Sequence, residues 1–382
     1  MLLHEYPEIG HIDLVVRPKP GLDPEARFWG EIAPSPVFDP LRRRYPGDAF
    51  RAFLGEKVTP VAADIATPDL GLSPETLESM RGRIDAVVNA SGLVDFNPPL
   101  DEAIATNAFG IQHLVAFTKR IGSPPLFHTS TCYVAGNRDG VVPEIDPRTF
   151  PFPRADELDP KDWDPRREIT ECVDMVTAAR RRCEDAFRQS AFLDRAKRNL
   201  RARNEPTQGP ALEDELRRVK RKFISDQLAA AGLERARFWG WPNTYTYTKS
   251  IGEQILLDAG LTVAIGRPAI IESSIAYPFP GWNEGVNTSA PLILMVLKGH
   301  VQFPTRPGVL LDLIPVDFVA AAMIAHLAAL LEGTHDVVCQ YACGDVNPLS
   351  MERAIELTGL AKRRRYASAP GNPIVNFLQR NI

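Results

Sequence analysis

Two tyrosines shortly precede a lysine in "WPNTYTYTKSIGEQ", residues 241–254. On a helix, Tyr245 lies one turn before Lys249 and shares its face, whereas Tyr247 points elsewhere. Asn243 or Thr244 can cap such a helix, and Ile251, Ile255 and Leu256 supply an apolar stripe to seat it. A free tyrosine titrates near ~10, which makes it a poor acid at neutrality. A neighbouring ammonium favours the phenolate and lowers that value. Such a phenol can give its proton to a carbonyl oxygen as hydride arrives at the carbon. A second hydroxyl would hold the same oxygen, and "HTSTCYVAG" (128–136) offers Ser130 and Thr131 where a strand is expected to end. Alone, a YxxxK spacing is common by chance and is most often a surface pair, so the surrounding elements must decide.

Those elements read as alternating strands and helices. Short apolar runs at 11–16, 58–65, 85–90, 125–131, 261–266 and 311–316 predict buried strands. Helical patterns at 74–82, 100–121, 244–259 and 317–332 fall between them. This alternation predicts an α/β fold with a parallel sheet covered on both faces, whose ligands sit at the carboxyl ends of the strands. Residues 146–240 break the rhythm. They begin Pro-rich and continue as two charged helical patterns, 166–203 and 211–235, which predict an insertion outside the sheet. Its arginines ("AARRRC", "RAKRNLRARN", "RRVKRK") could bind phosphates, although a solvated helix pair with balancing Glu and Asp is the ordinary reading. "APLILMVL" (290–297) reads as core rather than as a lipid groove.

Composition excludes several classes. The chain has 382 residues, 44% hydrophobic and 24% charged, as soluble globular proteins do. A net charge of −4 gives no global reason for nucleic-acid binding. Five cysteines without a CxxC pair predict reduced thiols in a cytoplasmic protein and no metal site. "FVAAAMIAHLAALL" (318–331) is too short to span a bilayer and reads as a buried helix.

Taken together, the segments resemble the extended short-chain dehydrogenase/reductases, and among them the fatty acyl-CoA reductases of the male-sterility type. "LVVRPKPG", "PVAADIATPDLGLS", "DAVVNASGLVDFNPPLDEAIATNAFGIQHL", "FHTSTCYVAG", "WPNTYTYTKSIGEQIL", "GRPAIIESSIAYPFPGWNEGVNTSAPL" and "LDLIPVDFVAAAMI" match that family in order. The resemblance implies a Rossmann-like doubly wound parallel sheet with a helical insertion and a smaller substrate-side region. It makes Tyr245 the proton donor and Lys249 its activator and ribose ligand. Thr131 becomes the hydroxyl that orients the carbonyl, with Ser130 the weaker candidate. Asn89, Ala90 and Ser91 would line the cofactor, Asp64 and Ile65 would flank its adenine, and Asn107 would brace the site. Arg17 and Lys19 follow the second strand of the family fold, where a cation suits the 2′-phosphate of NADPH.

The same resemblance divides the chain into a Rossmann-like NADP-binding core (1–145), the insertion (146–240), and the catalytic helix with the next core strand (241–268). A substrate-side segment (269–309), a core strand and helix (310–332) and a C-terminal region (333–382) follow. The family opens with a strand and a glycine-rich turn of GxxGxxG spacing. Here Gly10, Gly21 and Gly30 do not form that pattern, so the expectation is a chain that starts after the first strand and pyrophosphate loop. "NPIVNFLQRNI" (372–382) likewise reads as an unfinished end. The implied activity is NADPH-dependent reduction of a long-chain acyl-CoA to fatty aldehyde or alcohol. Its apolar substrate leaves room for peripheral membrane contact, and the sequence does not fix an oligomeric state. The alternatives are a reductase of carrier-protein thioesters and a non-catalytic pseudo-reductase without the pyrophosphate loop.

Overall fold

The computed structural model describes residues 1–285, 289–300, 302, 305, 306 and 308–368. Residues 286–288 of the expected substrate-side segment and the end of the chain at 372–382 lie outside the described residues.

In chain order the main elements are β1 (Ile12–Val16), α1 (Asp48–Lys57), β2 (Val58–Ala62), α2 (Pro74–Met80), β3 (Val87–Asn89) and α3 (Leu100–Ile104). A single π-helical turn, Ala105–Phe109, joins α3 to α4 (Gly110–Arg120). Then come β4 (Leu126–Thr129), α5 (Pro165–Cys183), α6 (Ala186–Ala202), α7 (Pro210–Trp239), α8 (Thr244–Leu257), β5 (Val263–Pro268) and β6 (Ile270–Glu272). The chain continues through α9 (Ala290–Leu297), β7 (Leu310–Leu311), β8 (Leu313–Pro315), α10 (Val316–Glu332), β9 (Val338–Tyr341), β10 (Leu349–Ser350) and α11 (Met351–Ser368).

Two compact units result. The first holds residues 1–61, 266–333 and 339–382, and the second holds 62–265 with 334–338. In the first, β1 pairs with β2, β6 runs parallel to β8, and β7 pairs antiparallel with β10. Its core gathers Leu3, Phe28, Leu41, Leu54 and Val58. The apolar helix α9 departs from expectation. Ile293, Leu294 and Met295 are exposed and only Val296 is buried, because one short helix can turn only one stripe inward.

The second unit contains β3 and β4, which run parallel with Asn89 opposite His128 and belong to a sheet of order β3-β4-β5-β9. The buried aliphatic and aromatic β4 residues Leu126 and Phe127 place this ladder in the core and leave residues 129–131 at its carboxyl end. The insertion forms three helices rather than two. Its first pattern breaks at Glu184, where Asp185 accepts a hydrogen bond from the Phe187 amide at 2.9 Å and so caps a new helix. Cys183, Phe192, Ala196 and Val219 give this layer a small core of its own. No helix among the described residues is long and apolar enough to cross a membrane.

Candidate active site

Helix α8 is the element from which the site is built. Asn243 caps it, its Oδ1 accepting from the Thr246 amide at 2.9 Å. Threonines are weak helix formers, so burial rather than propensity holds this helix: residues 246–256 are all buried. Tyr245, in the first turn, is half-buried. Two faces leave α8 in different directions.

One face carries Tyr245, Lys249 and Gly252, spaced as successive turns require. Tyr245 hydrogen-bonds the side chain of Thr131, so the structure brings these two hydroxyls together. Thr131 follows β4 and caps the turn Cys132–Ala135, its Oγ1 accepting from the Tyr133 amide at 3.3 Å. Lys249 reaches the same strand end, where Nζ donates to the Thr129 carbonyl at 2.8 Å. The Oγ atoms of Thr129 and Ser130 are buried with no hydrogen-bond partner among the described residues.

The loop after β3 closes the other side. Asn89 Oδ1 accepts from the Ser91 amide (3.0 Å) and hydroxyl (2.6 Å), while its Nδ2 turns to His128 Nδ1 at 2.9 Å. Ala90 and Ser91 are exposed at the strand end. Asn107, in the π-helical turn, accepts from the Leu93 amide at 3.1 Å and donates to Thr248 Oγ1 at 3.0 Å, tying this loop to α8. A π-turn widens the helix locally and aims that amide outward. Gly252 lets α8 approach closely, since a Cβ there would stand 2.4 Å from the Asn107 carbonyl oxygen. Gly92 faces Lys249, whose Nζ would be 3.6 Å from a Cβ at that position.

Electrostatics differ from expectation at one point. Lys249 does not acidify Tyr245. Burial raises the phenol above its ordinary value of 10, and only the Thr131 hydrogen bond opposes it. Burial also pulls the Lys249 ammonium down to about 8, with Glu253 resisting. His128 is held well below its ordinary range by burial and then by Lys249, so its ring is neutral. Because Asn89 donates to Nδ1, the network assigns the ring proton to Nε2, which lies 3.4 Å from Lys249 Nζ.

The second face carries Tyr247 and Gln254. Tyr247 is fully buried, and its hydroxyl donates to Glu168 and contacts Cys172 Sγ at 3.3 Å. Glu168, on α5, also accepts from Arg235 Nη2 at 2.7 Å and Trp239 Nε1 at 3.0 Å. Trp163 Nε1 donates to Gln254 Oε1 at 2.6 Å, and Gln254 donates to the Pro151 carbonyl at 2.8 Å. The rings of Trp163, Trp239, Trp241, Phe152 and Tyr247 pack in sequence with centroids 4.9–5.6 Å apart. Burial pushes the Cys172 thiol up to about 11, which leaves it protonated and unreactive.

The remaining expected residues have local roles. Asp64 Oδ1 accepts from the Ala66 amide at 3.0 Å and shapes a turn. Ile65 is buried, its carbonyl meets His113 Nδ1 at 3.1 Å, and a Cβ on Gly110 would touch its side chain at 3.2 Å. Lys19, in the other unit, is engaged by Glu31 at 2.8 Å, and the Arg17 carbonyl accepts from Arg27 at 2.6 Å. Sequence reasoning gave no role to His128, although it shares strand parity with Ser130. It also missed Glu168 and Arg235, for which no local signal exists. Among the described residues, no group of acids, histidines and cysteines could hold a metal ion.

Comparison with known proteins places these features in context. Residues 1–323 match the profile of an NAD-binding family described as "Male sterility protein". "Probable fatty acyl-CoA reductase 4" of Arabidopsis thaliana is 29% identical over 93% of the chain and 66% of its own length. For "Fatty acyl-CoA reductase 8" of the same plant the figures are 31%, 91% and 64%. For the "Alcohol-forming fatty acyl-CoA reductase" of Simmondsia chinensis they are 28%, 98% and 68%. The chain thus spans about two thirds or less of the first two relatives' lengths, at 66% and 64%. Among solved structures, the terminal R domain of the myxalamid PKS-NRPS pathway shares the fold with a TM-score of 0.55 at 16% identity, over 99% of this chain and 73% of that one. A thiolation-reductase di-domain from an archaeal non-ribosomal peptide synthetase does so with a TM-score of 0.52 at 14% identity, over 100% and 63%.

Proposed function

The chain belongs to the NAD-binding family described as Male sterility protein, and from that premise we propose that it reduces long-chain fatty acyl-CoA thioesters with NADPH. The observation that carries the reading is the hydrogen-bonded pair of Tyr245 and Thr131 at the end of β4, with Lys249 one helical turn behind. Two hydroxyls converge there on a point where a carbonyl oxygen can be held. Relatives named as fatty acyl-CoA reductases supply the thioester class.

The site's donor set fits the ribose and nicotinamide end of a dinucleotide. Lys249 Nζ and the buried, unpartnered hydroxyls of Thr129 and Ser130 offer polar contacts, and Gly92 leaves space before them. A bound dihydronicotinamide supplies the hydride. Thr131 and Tyr245 donate hydrogen bonds to the thioester oxygen as negative charge develops on it. A phenol kept protonated by burial is suited to that task, because it donates without ionising beforehand. Collapse of the tetrahedral adduct breaks the C–S bond, releases the thiolate and leaves the aldehyde. In a second reduction, the Tyr245 proton neutralises the alkoxide and yields the alcohol. The preference for NADPH over NADH is inferred from the family resemblance, which puts a cation, here Arg17, directly after β1.

The test is to incubate the protein with NADPH and palmitoyl-CoA and to follow cofactor oxidation, free thiol and the aldehyde or alcohol together. All three are expected to rise in proportion. Oxidation without thiol release, or no turnover, would contradict the proposal. Arg17→Glu should shift the preference toward NADH.

A further inference from the structure

The insertion carries a second concentration of chemistry that the proposed reduction does not use. Residues 180–203 hold nine Lys or Arg against three Asp or Glu, in a chain whose net charge is −4. If this were only a solvated helix pair, its cations would be matched by carboxylates. On α7 four of them are: Arg217 pairs with Asp214, Arg218 with Glu215 at 2.9 Å, Lys222 with Asp226 at 3.2 Å, and Arg235 with Glu168. On α6 they are not. Arg188, Arg195 and Arg198 have no ion-pair partner among the described residues, and Asp185, the nearest acid in the groove, spends one oxygen capping the Phe187 amide.

These three arginines share a surface. Positions 188 and 195 are two turns apart on one face of α6, and 198 follows one turn later. They line a cleft of about 510 Å³ together with Phe187 and Phe223. Phe223, from α7, carries the Arg188 guanidinium over its ring at 5.1 Å. Phe187 is 83% exposed at the rim, so a large ring waits in water beside concentrated positive charge.

We propose that this cleft binds a soluble phosphate ester attached to a planar base, at a site that shares no residue with the Tyr245 centre. Guanidinium forks match phosphate oxygens in pairs, and the exposed ring of Phe187 provides a face for a base to stack on, while Phe223 holds Arg188 in place. The volume lies within the range of small-ligand sites. Inorganic phosphate would use the arginines and leave Phe187 uncovered. A membrane surface would be met by a convex apolar face, whereas this one is concave.

The test is calorimetric titration of the full chain with adenosine 3′,5′-bisphosphate, repeated on Lys249→Met so that binding at the nicotinamide site is told apart from binding at the cleft. Saturable binding is expected, weakened by added salt and by about tenfold or more in the Arg188→Gln/Arg195→Gln/Arg198→Gln variant. Arg195→Gln alone should weaken it in part, and Phe187→Ala likewise. Arg217→Gln/Lys222→Gln, which removes paired cations, should leave it within about twofold. Thermal melts of each variant confirm folding. Absence of saturable binding, equal affinity in the triple variant, or arginine-dependent capture by phosphatidylglycerol vesicles in place of the nucleotide would overturn the proposal.

Discussion

Tyr245 and Tyr247 stand two residues apart on one helix and meet opposite environments. Around Tyr247 the polar groups satisfy one another, with Glu168 accepting from Tyr247, Arg235 and Trp239 inside a shell of aromatic rings, and only Thr244 Oγ1, against α7, has no partner among the described residues. Around Tyr245 they do not, since two strand-end hydroxyls lack partners among the described residues and a lysine is buried beside a neutral histidine. A saturated network fixes a helix in place. An unsaturated one costs stability and has donors left for something else. The difference teaches that the insertion serves α8 as its clamp, so the Tyr245 face can be left underpaired.

The largest effect on stability should come from cutting that clamp. Glu168→Ala leaves the buried Tyr247 hydroxyl and Trp239 indole N–H without their carboxylate acceptor and leaves Arg235 with Glu171 alone. Loss of one partner from a buried pair costs about 3–5 kcal/mol, to be read as a fall in the urea midpoint. An unchanged midpoint would break the contrast between the two faces.

Next comes Lys249. Its folded value of about 8 lies below its ordinary 10.5, so between those values the unfolded chain binds more protons and stability rises with pH. The penalty is full below pH 8 and fades above it. Over the whole window the shift amounts to about 3 kcal/mol. Denaturant titrations between pH 8 and 9 should show the rise in the parent and a smaller one or none in Lys249→Met.

Smaller again is Gly252→Ala. Its methyl would press on the Asn107 carbonyl and tilt α8, with an expected loss of about 1–3 kcal/mol. Because the contact lies on the Tyr245 face, the KM for NADPH should rise more than the melting temperature falls. If only the melting temperature moves, Asn107 and Gly252 are packing partners and nothing more.

Local placement was legible from the sequence and long-range pairing was not. One helical turn links Tyr245 to Lys249, and a strand end presents Ser130 and Thr131, so spacing sufficed. The strands at 12–16, 58–62, 87–89, 126–129 and 263–268 follow their apolar runs closely. Asp185 ended a helix that charge patterning had extended, because an N-cap outweighs continuous periodicity. The Glu168 clamp joins residues 67 and 79 positions apart, a juxtaposition no local pattern encodes. The direction of the Tyr245 shift was misjudged for a related reason. The sequence showed an ammonium one turn away, but it could not show that Lys249 is committed to the Thr129 carbonyl and that the phenol is desolvated.

The most direct test of the two-face account compares Tyr245→Phe with Tyr247→Phe by single-turnover transfer of deuterium from labelled NADPH to palmitoyl-CoA. The account predicts that Tyr245→Phe slows transfer by about 10²–10⁴-fold with its melting temperature kept, whereas Tyr247→Phe lowers the melting temperature and transfers within roughly tenfold of the parent. Equal transfer rates in Tyr245→Phe and the parent would contradict it.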